Sequence, residues 1–434
     1  MKIAVIGGTR GLGHWIANFL KSKNFDVCVT GRDRIAGEKV SKNLEVEYSS
    51  DNVKTAAKSD IVIVSVPINV TSSVIEELAP VMKPGALLMD VTSVKEGPAK
   101  SMQQSVPEGV EFLPSHPMFG PRIRSLDGQV VVLTPINRGI WFDKVVKFLE
   151  NENSRVLITT PKIHDEMMSI VQGLTHFAYI NIASTIEKLQ IDLKKSRKFA
   201  SPIYSLMVDI IARIVAQNPY LAYSIQTENR YNKKTHAAFL DNLKELKKMI
   251  DEKDEEKFVK TMSSAAKHLD DIEAALGRSD KAIAALTEEI RTLKESLGKE
   301  VGLRHIYSGT IHIGVLKEIS PDEIVLIKNN KIINLKLSNV EILSDDELLK
   351  WKINNYPKKY FDVSAVFPKN CNAEFIAQTI ESLNDVVSAE IIDIYHGEQV
   401  PSNFMSITIR YIVIKNEARE SVETLLKGFG AIIR

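Results

Sequence analysis

Short apolar runs alternate with amphipathic helical stretches through the first third of the chain. The apolar runs lie at residues 2–7, 25–31, 60–67, 85–93, 110–117, 129–135 and 154–161. Strands that are buried on both faces have this character, and helices between them are typical of parallel βαβ units. The pattern therefore predicts an α/β domain, a doubly wound Rossmann sheet, over residues 1–160.

Helical periodicity replaces the strand pattern between residues 161 and 300. The first helices are apolar, whereas those over 241–262 and 282–297 carry Leu, Ile and Ala at three- and four-residue spacing among alternating charges. Helices this polar are expected to pair, either with each other or across a dimer interface. We therefore expect an all-α domain here and a homodimer formed through it.

Two smaller strand-rich segments follow. Residues 301–350 contain short strands with a predicted hairpin turn at Asn329 and Asn330, which indicates a small SH3-like β-barrel. Residues 355–434 follow the order βαββαβ, which is typical of the ferredoxin-like fold. The predicted domains are therefore residues 1–160, 161–300, 301–350 and 355–434.

Composition and charge narrow the function classes. The 434 residues are 44% hydrophobic and 26% charged, with a formal net charge of +1, so no global field favours nucleic acid or an acidic membrane. No run reaches the roughly 18 apolar residues of a membrane span. Cys28 and Cys371 lie in different predicted domains, so we expect neither a disulfide framework nor a metal site. We interpret the chain as cytoplasmic.

A glycine-rich turn joins the first predicted strand to the first helix. Its residues are Gly7, Gly8, Thr9, Arg10, Gly11, Leu12 and Gly13. Glycines permit the tight turn, and free N–H groups at the helix start attract a pyrophosphate. The turn therefore predicts a nicotinamide-dinucleotide site, with a purely structural turn as the alternative.

The end of the second strand bears on the choice between NADP and NAD. NAD-binding domains usually place an acidic residue there for the ribose 2′-hydroxyl. This chain has Thr30 followed by Arg32, whose guanidinium suits a 2′-phosphate. The sequence favours NADP. The alternative is NAD, with Asp33 on the ribose and Arg32 as a solvated loop charge.

The sequence SHPMFGP, residues 115–121, follows the fifth predicted strand at the edge where open parallel sheets bind ligands. Its histidine, His116, can accept a proton from a substrate hydroxyl while a nicotinamide takes a hydride, because its ordinary pKa of about 6.5 lies near neutral pH. The alternative is a structural histidine in a proline-rich turn.

Together with the glycine turn and the apolar helical segment, SHPMFGP resembles the prephenate dehydrogenase (arogenate dehydrogenase) family over residues 1–290. The resemblance implies a Rossmann domain followed by a helical dimerisation domain. It also implies NAD(P)-dependent oxidation of the 4-hydroxyl of prephenate, with loss of the ring carboxylate as CO2 to give 4-hydroxyphenylpyruvate in tyrosine biosynthesis. Arogenate is the alternative substrate.

The resemblance also implies catalytic roles for individual residues. The catalytic histidine corresponds to His116, and a supporting serine corresponds to Ser93. Asp165 and His176, eleven residues apart, should share one helix face, so that Asp165 orients His176 or another donor. A core histidine is the alternative for His176. Gly173 departs from the pattern, since many family members carry a second histidine there.

Substrate binding is implied for two basic residues. Arg213, inside an apolar helical run, corresponds to the arginine that binds a substrate carboxylate, and an arginine there needs an anionic partner. A salt bridge to Asp209, one turn earlier, is the alternative. Lys95 would add positive charge to the same pocket.

Residues 356–434 resemble a second family. The matching residues are Tyr356, Pro357, Phe361, Asp362, Val363, residues 392–397, Val400, Pro401, Ser406, Ile407 and residues 430–434. They resemble the anticodon-binding domain of the phenylalanyl-tRNA synthetase β-subunit, with an ACT domain as the alternative. The segment is not strongly basic and lacks an aromatic stacking array, so a regulatory or assembly role weighs at least as much as RNA binding. A non-catalytic dinucleotide-sensing or tRNA-binding protein is the alternative to an enzyme.

Overall fold

The computed structural model describes residues 1–269, 271–320 and 323–434. Contacts within the chain separate two compact units, Met1–Ile283 and Ala284–Arg434. Each unit is described by itself below. The finer division into four domains stays a prediction.

An eight-stranded sheet forms the first part of the first unit, in the order β3-β2-β1-β4-β5-β6-β7-β8. Its strands are β1 (Lys2–Ile6), β2 (Asp26–Thr30), β3 (Glu47–Ser49), β4 (Ile61–Val64), β5 (Leu87–Asp90), β6 (Glu111–Pro117), β7 (Val130–Leu133) and β8 (Arg155–Ile158). The helices between them are α1 (Gly11–Ser22), α2 (Arg34–Leu44), α3 (Asn52–Lys58), α4 (Ile68–Leu78), α5 (Glu96–Ser105) and α6 (Ile140–Asn151). The α/β class predicted from the apolar runs is confirmed.

Both faces of this sheet are buried, as the apolar runs predicted. Val5 and Val29 belong to the hydrophobic cluster on one face, and Ile6 and Val64 belong to the cluster on the other. Each such fully buried side chain contributes about 1.5–3 kcal/mol to folding. The sheet is therefore a rigid platform for the loops at its edges.

The sheet differs from the prediction at β3, which was missed, and at its β7–β8 end. β6 pairs antiparallel with β7, and β7 pairs parallel with β8. A parallel connection needs a crossover, usually a helix, and residues 118–129 between β6 and β7 contain none. The chain therefore returns antiparallel. As a result His116 lies within β6, paired with Val132, rather than in a loop after the strand.

Helices make up the rest of the first unit, as predicted. They are α7 (Pro161–Met168), α8 (Thr175–Lys188), α9 (Leu193–Arg197), α10 (Pro202–Val215), α11 (Pro219–Glu228), α12 (Asn232–Asp251), α13 (Glu255–His268) and α14 (Ile272–Glu295), the last of which continues into the second unit. A π-helical segment, Ser169–Leu174, joins α7 to α8. Among the described residues, no helix combines the length and the apolar character needed to cross a membrane.

The second unit begins with a five-stranded antiparallel sheet in the order β12-β11-β10-β9-β13. Its elements are β9 (Glu300–His305), β10 (Ile311–Ile319), β11 (Glu323–Lys328), β12 (Lys331–Lys336) and β13 (Val340–Ile342), followed by α15 (Asp345–Asn355). Asn329 and Asn330 have φ of 49° and 62°. Two left-handed residues between paired strands form a type I′ hairpin turn, which confirms the predicted turn.

A four-stranded sheet with two helices completes the second unit. Its elements are β14 (Lys359–Pro368), α16 (Ala373–Glu381), β15 (Val386–Tyr395), β16 (Phe404–Val413), α17 (Glu417–Gly428) and β17 (Ile432–Ile433). The sheet order is β15-β16-β14-β17, so β14 and β16 lie at its centre. This order and connectivity confirm the predicted ferredoxin-like fold.

Candidate active site

The glycine turn between β1 and α1 is too closely packed to accept side chains at several of its glycines. Gly7 has φ of 81°, and a Cβ there would lie 2.3 Å from the carbonyl oxygen of Ser65, which follows β4. A Cβ at Gly13 would lie 2.6 Å from the carbonyl oxygen of Gly7. No side chain of the described residues caps the first turn of α1, so its N–H groups are available to an anion. The turn fits the pyrophosphate of a nicotinamide dinucleotide.

Other residues of the predicted cofactor site pack against this turn or hydrogen-bond to it. The amide of Gly7 donates a hydrogen bond of 3.3 Å to Thr30 Oγ1, and Leu12 packs against the core. A Cβ at Gly8 would lie 2.9 Å from Val29 Cγ1. A Cβ at Gly31 would lie 2.6 Å from Thr9 Oγ1, so Thr9 packs closely against Gly31. Gly11 has φ of 57°. These residues shape the turn that would hold the dinucleotide.

Substitution of Gly13 by alanine tests the turn. The added Cβ would meet the Gly7 carbonyl at 2.6 Å, so α1 must shift, at a cost of about 1–3 kcal/mol. We expect dinucleotide affinity to fall by about 10- to 100-fold, measured by fluorescence titration of the reduced cofactor. Gly428→Ala, where a Cβ meets open space on α17, is the matched control and should bind the cofactor normally. Unchanged affinity of Gly13→Ala would argue against a pyrophosphate at this turn.

The ribose end of the predicted cofactor site contains an ion pair. Arg10 Nη2 lies 2.5 Å from Asp33 Oδ2, and Asp33 Oδ1 accepts a hydrogen bond of 3.1 Å from the amide of Ala36 at the start of α2. Both carboxylate oxygens of Asp33 are thus engaged. Arg32 is exposed, while Arg34 pairs with Glu38.

Three buried side chains form a hydrogen-bonded chain that begins within the SHPMFGP segment. His116 Nδ1 lies 2.9 Å from His164 Nε2, and His164 Nδ1 lies 2.7 Å from Asp165 Oδ1. The three residues are 2–3% exposed. Because an ionised carboxylate only accepts, His164 carries its proton on Nδ1 and accepts at Nε2 from His116 Nδ1. This assignment gives His116 Nε2 a lone pair that can accept a proton, with Gln172 Nε2 as a long hydrogen-bond donor to it.

Asp165 is held by backbone donors from another element. Its Oδ1 accepts from the amide of Lys95 at 2.7 Å, and its Oδ2 accepts from the amide of Glu96 at 2.9 Å. Both amides lie at the start of α5, where the helix dipole favours a negative charge. Asn229 Nδ2 donates to the Asp165 carbonyl oxygen at 2.7 Å. Asp165 is therefore a fixed anchor for the orientation of His164.

Burial keeps both histidines neutral. It lowers the pKa of His116 well below the usual range, and electrostatic interactions with His164 and Lys95 act in the same direction. Burial also lowers the pKa of His164, although its hydrogen bond to Asp165 opposes this shift. His116 Nε2 faces the half-buried Gln172, whose Nε2 lies 3.5 Å away. The arrangement can act as a general base at neutral pH.

The structure corrects the prediction that Lys95 binds substrate. Lys95 is fully buried. Its Nζ forms an ion pair with the carboxylate of Asp90 and donates to the carbonyl oxygen of Ser115 at 2.6 Å. An ammonium that is surrounded in this way does not face a substrate pocket.

The other predicted site residues form no hydrogen bond, among the described residues, with His116, His164 or Asp165. Ser93 is half-buried and, within the described ranges, forms no hydrogen bond through its side chain. His176 is buried, and its Nδ1 has no partner among the described residues, so the donor that Asp165 orients is His164. Arg213 is exposed on α10. Asp209, the alternative partner that the sequence suggested for Arg213, pairs with Arg197 instead, with 2.5 Å between Asp209 Oδ1 and Arg197 Nη2. The predicted salt bridge between Arg213 and Asp209 is therefore wrong.

The π-helical segment between Asp165 and His176 explains why the sequence analysis paired Asp165 with the wrong histidine. The π-helical segment between them has more residues per turn than an α-helix, so eleven residues no longer make three turns. His164 was missed, although a histidine and an aspartate adjoin at the start of a helix that Thr160 caps. A Cβ at Gly173 would lie 2.2 Å from Asn232 Oδ1, so a histidine there would have to displace the Asn232 side chain.

A dinucleotide turn and a neutral, proton-accepting histidine lie at the carboxyl edge of the same Rossmann sheet, which defines a nicotinamide-dependent dehydrogenase. Residues 16–158 match the model of the prephenate dehydrogenase nucleotide-binding domain, and residues 160–264 match that of the prephenate dehydrogenase dimerization domain. The probable arogenate/prephenate dehydrogenase of Methanocaldococcus jannaschii is 47% identical over 433 residues, which are 98% of this chain and 96% of that protein. The chain belongs to the prephenate dehydrogenase family.

Other relatives match parts of the chain. The prephenate dehydrogenase from A. aeolicus, solved with hydroxyphenyl propionate and NAD+, has a TM-score of 0.51 at 20% identity and covers 63% of this chain and 98% of that one. It shows the shared fold. The phenylalanine–tRNA ligase beta subunit of Blochmanniella floridana is 30% identical over 142 residues, which are 30% of this chain and 15% of that protein. The anticodon-binding resemblance of residues 356–434 stays a prediction.

Proposed function

We propose that the protein oxidatively decarboxylates prephenate to 4-hydroxyphenylpyruvate, with His116 as the general base. The observation that carries the proposal is the hydrogen-bonded chain that fixes the buried His116 through His164 to Asp165 and thereby makes His116 Nε2 a proton acceptor. The near full-length relative, named as a probable arogenate/prephenate dehydrogenase, supports this substrate class.

The reaction needs a proton acceptor at the substrate hydroxyl. His116 Nε2 takes the hydroxyl proton as the C–O bond becomes a carbonyl, and the bound nicotinamide supplies the acceptor for the hydride. The bond between the ring and its carboxylate then breaks and CO2 leaves. The electron pair of the broken bond stays in the ring and makes it aromatic. His116 returns the proton to the phenolic oxygen, so the protein ends the cycle unchanged. Asp165 stabilises the transient positive charge through His164.

The reaction is tested by the absorbance of reduced nicotinamide with purified protein, using prephenate and arogenate with NAD and NADP in parallel. We expect reduction with prephenate and formation of 4-hydroxyphenylpyruvate. Faster reduction of the cofactor with arogenate would show that arogenate, and not prephenate, is the preferred substrate. If neither substrate reduces either cofactor, a dinucleotide-sensing or RNA-binding role takes precedence.

We further propose that NADP is the preferred cofactor. Three features support this preference: Arg10 neutralises Asp33, the Asp33 oxygens are both engaged, and Arg32 is exposed beside them. An engaged carboxylate is a poor acceptor for a ribose 2′-hydroxyl, whereas two guanidinium groups suit a 2′-phosphate.

Arg32→Ala should lower kcat/KM with NADP by about 10- to 100-fold, because a charge-assisted hydrogen bond contributes about 1.5–3 kcal/mol. The value with NAD should change little. Steady-state kinetics with both cofactors measures the ratio. Arg155→Ala, an exposed arginine on β8, serves as the control. A wild-type preference for NAD would contradict the proposal.

We also propose that the protein is a homodimer through its helical segment. The match of residues 160–264 to a dimerization domain supports this assembly. Large apolar side chains there are exposed, including Phe199 at 84%, Tyr220 at 81% and Ile203 at 71%. Exposed apolar surface of this kind marks protein interfaces. Light scattering after size exclusion tests the proposal, and a monomer at micromolar concentration would contradict it.

A further inference from the structure

Lys95 is connected to both ends of the hydrogen-bonded chain formed by His116, His164 and Asp165. Its side chain donates from Nζ to the carbonyl oxygen of Ser115, the residue immediately before His116, at 2.6 Å. Its backbone amide donates to Asp165 Oδ1 at 2.7 Å. One residue thus contacts the backbone that carries the base and the carboxylate that orients its partner.

The side chain of Lys95 is itself fixed. Its Nζ pairs with Asp90 at the end of β5, both side chains are fully buried, and Thr92 Oγ1 lies 3.4 Å from Nζ. The hydroxyl of Ser115 donates to the carbonyl oxygen of Asp90 at 2.6 Å. The ends of β5 and β6 are therefore joined twice, beside the position of His116.

Stability of the fold does not by itself call for this pair. Taking two charges out of water costs about as much as their attraction returns, and an apolar pair of similar volume is often equally stabilising. The contacts of Lys95 are, however, directed at the reacting group. We propose that Lys95, braced by Asp90, is a positioning residue that holds His116 and Asp165 in the geometry needed for proton transfer, an inference that rests on the proposed function of His116.

The charge of Lys95 has a second effect on the same histidines. The titratable groups around His116 are Lys95, His164 on α7, and beyond them Asp90 on β5 and Asp165 on α7. The ammonium of Lys95 lowers the pKa of both His116 and His164, whereas the two carboxylates raise the pKa of His164. Loss of the ammonium alone should therefore raise the pKa of His116.

Two variants test the proposal by kinetics across pH. Lys95→Met leaves Asp90 buried without its partner. Combining it with Asp90→Leu removes both charges and avoids an unpaired buried carboxylate. For both variants we expect kcat to fall by about 10- to 100-fold with KM values within about threefold, because small displacements of a reacting group have effects of this size. For Lys95→Met, the acid limb of kcat/KM should move up by about one pH unit.

Lys352 provides a matched control, since it is also a buried lysine, paired with Glu300 at 2.8 Å and with Asp385 at 3.3 Å in the second unit. Lys352→Met should lower the melting temperature without changing kcat or the acid limb. If the double variant folds and retains the wild-type kcat and pH profile, the pair is only structural and the proposal is wrong. Failure of the proposed function appears differently, as no turnover by the wild type or normal turnover by a His116 variant.

Discussion

Replacing His116 by asparagine is expected to lower kcat by about 10²- to 10⁴-fold, the usual contribution of a general base. Asparagine is similar in size to part of the ring, and its amide nitrogen cannot accept the hydroxyl proton. The substitution leaves the glycine turn of the predicted cofactor site unchanged. We therefore expect the KM for prephenate and the affinity for reduced cofactor to change by less than about threefold, as for loss of an interaction made only in the transition state.

A histidine outside the site provides the control for this substitution. His396 follows β15 in the second unit and is exposed, so His396→Asn should retain the wild-type kcat. The measurement is the initial rate of cofactor reduction at saturating prephenate, with melting curves to show that each variant is folded. If His116→Asn keeps a wild-type rate, the proton acceptor lies elsewhere and the proposed mechanism is wrong.

The fold of the Rossmann sheet follows from local patterns, and its exceptions have local causes. Runs such as residues 2–7 and 60–67 are buried on both faces, so their apolar composition predicts strands directly. β3 has three residues, too few for a recognisable period. β7 runs antiparallel because residues 118–129 contain no helix. The apolar runs on either side predict the strands but not their relative direction.

The site was harder to predict than the fold because it depends on side-chain direction. The glycine turn and His116 follow from motif and position along the sheet. The position of the Lys95 side chain could not be predicted, because a residue at a strand end can face either the pocket or the core. The buried partner Asp90 directs Lys95 to the core. His164 and the π-helical segment both lie in a stretch where helical periodicity predicts only a continuous helix.

Asp165→Asn is the second substitution with a large expected effect. Asp165 accepts from His164 Nδ1 and from the amides of Lys95 and Glu96, whereas asparagine offers one acceptor oxygen and a donor NH2 group. In one orientation of the amide, the NH2 group faces the Glu96 amide, and a buried donor loses its partner. We expect unfolding to become easier by about 1–3 kcal/mol, measured by urea denaturation. Asp254→Asn is the control, because Asp254 caps α13 through Lys257 and asparagine caps a helix equally well.

In the other orientation, the NH2 group of the introduced asparagine donates to His164 Nδ1, which reverses the direction of every hydrogen bond in the chain. His164 then carries its proton on Nε2 and donates to His116 Nδ1, so the proton of His116 moves to Nε2 and the catalytic lone pair is lost. In the first orientation the lone pair of His116 is kept, but the neutral amide no longer stabilises the positive charge that His116 acquires. Both orientations therefore slow the reaction, and we expect kcat to fall by about 10²- to 10⁴-fold, as for His116→Asn. A kcat of Asp165→Asn near the wild-type value, in a protein that is only less stable, would show that Asp165 anchors α5 without setting the tautomer of His164. A double variant with His116→Asn should lose no further activity, because Asp165 acts on the reaction through His116.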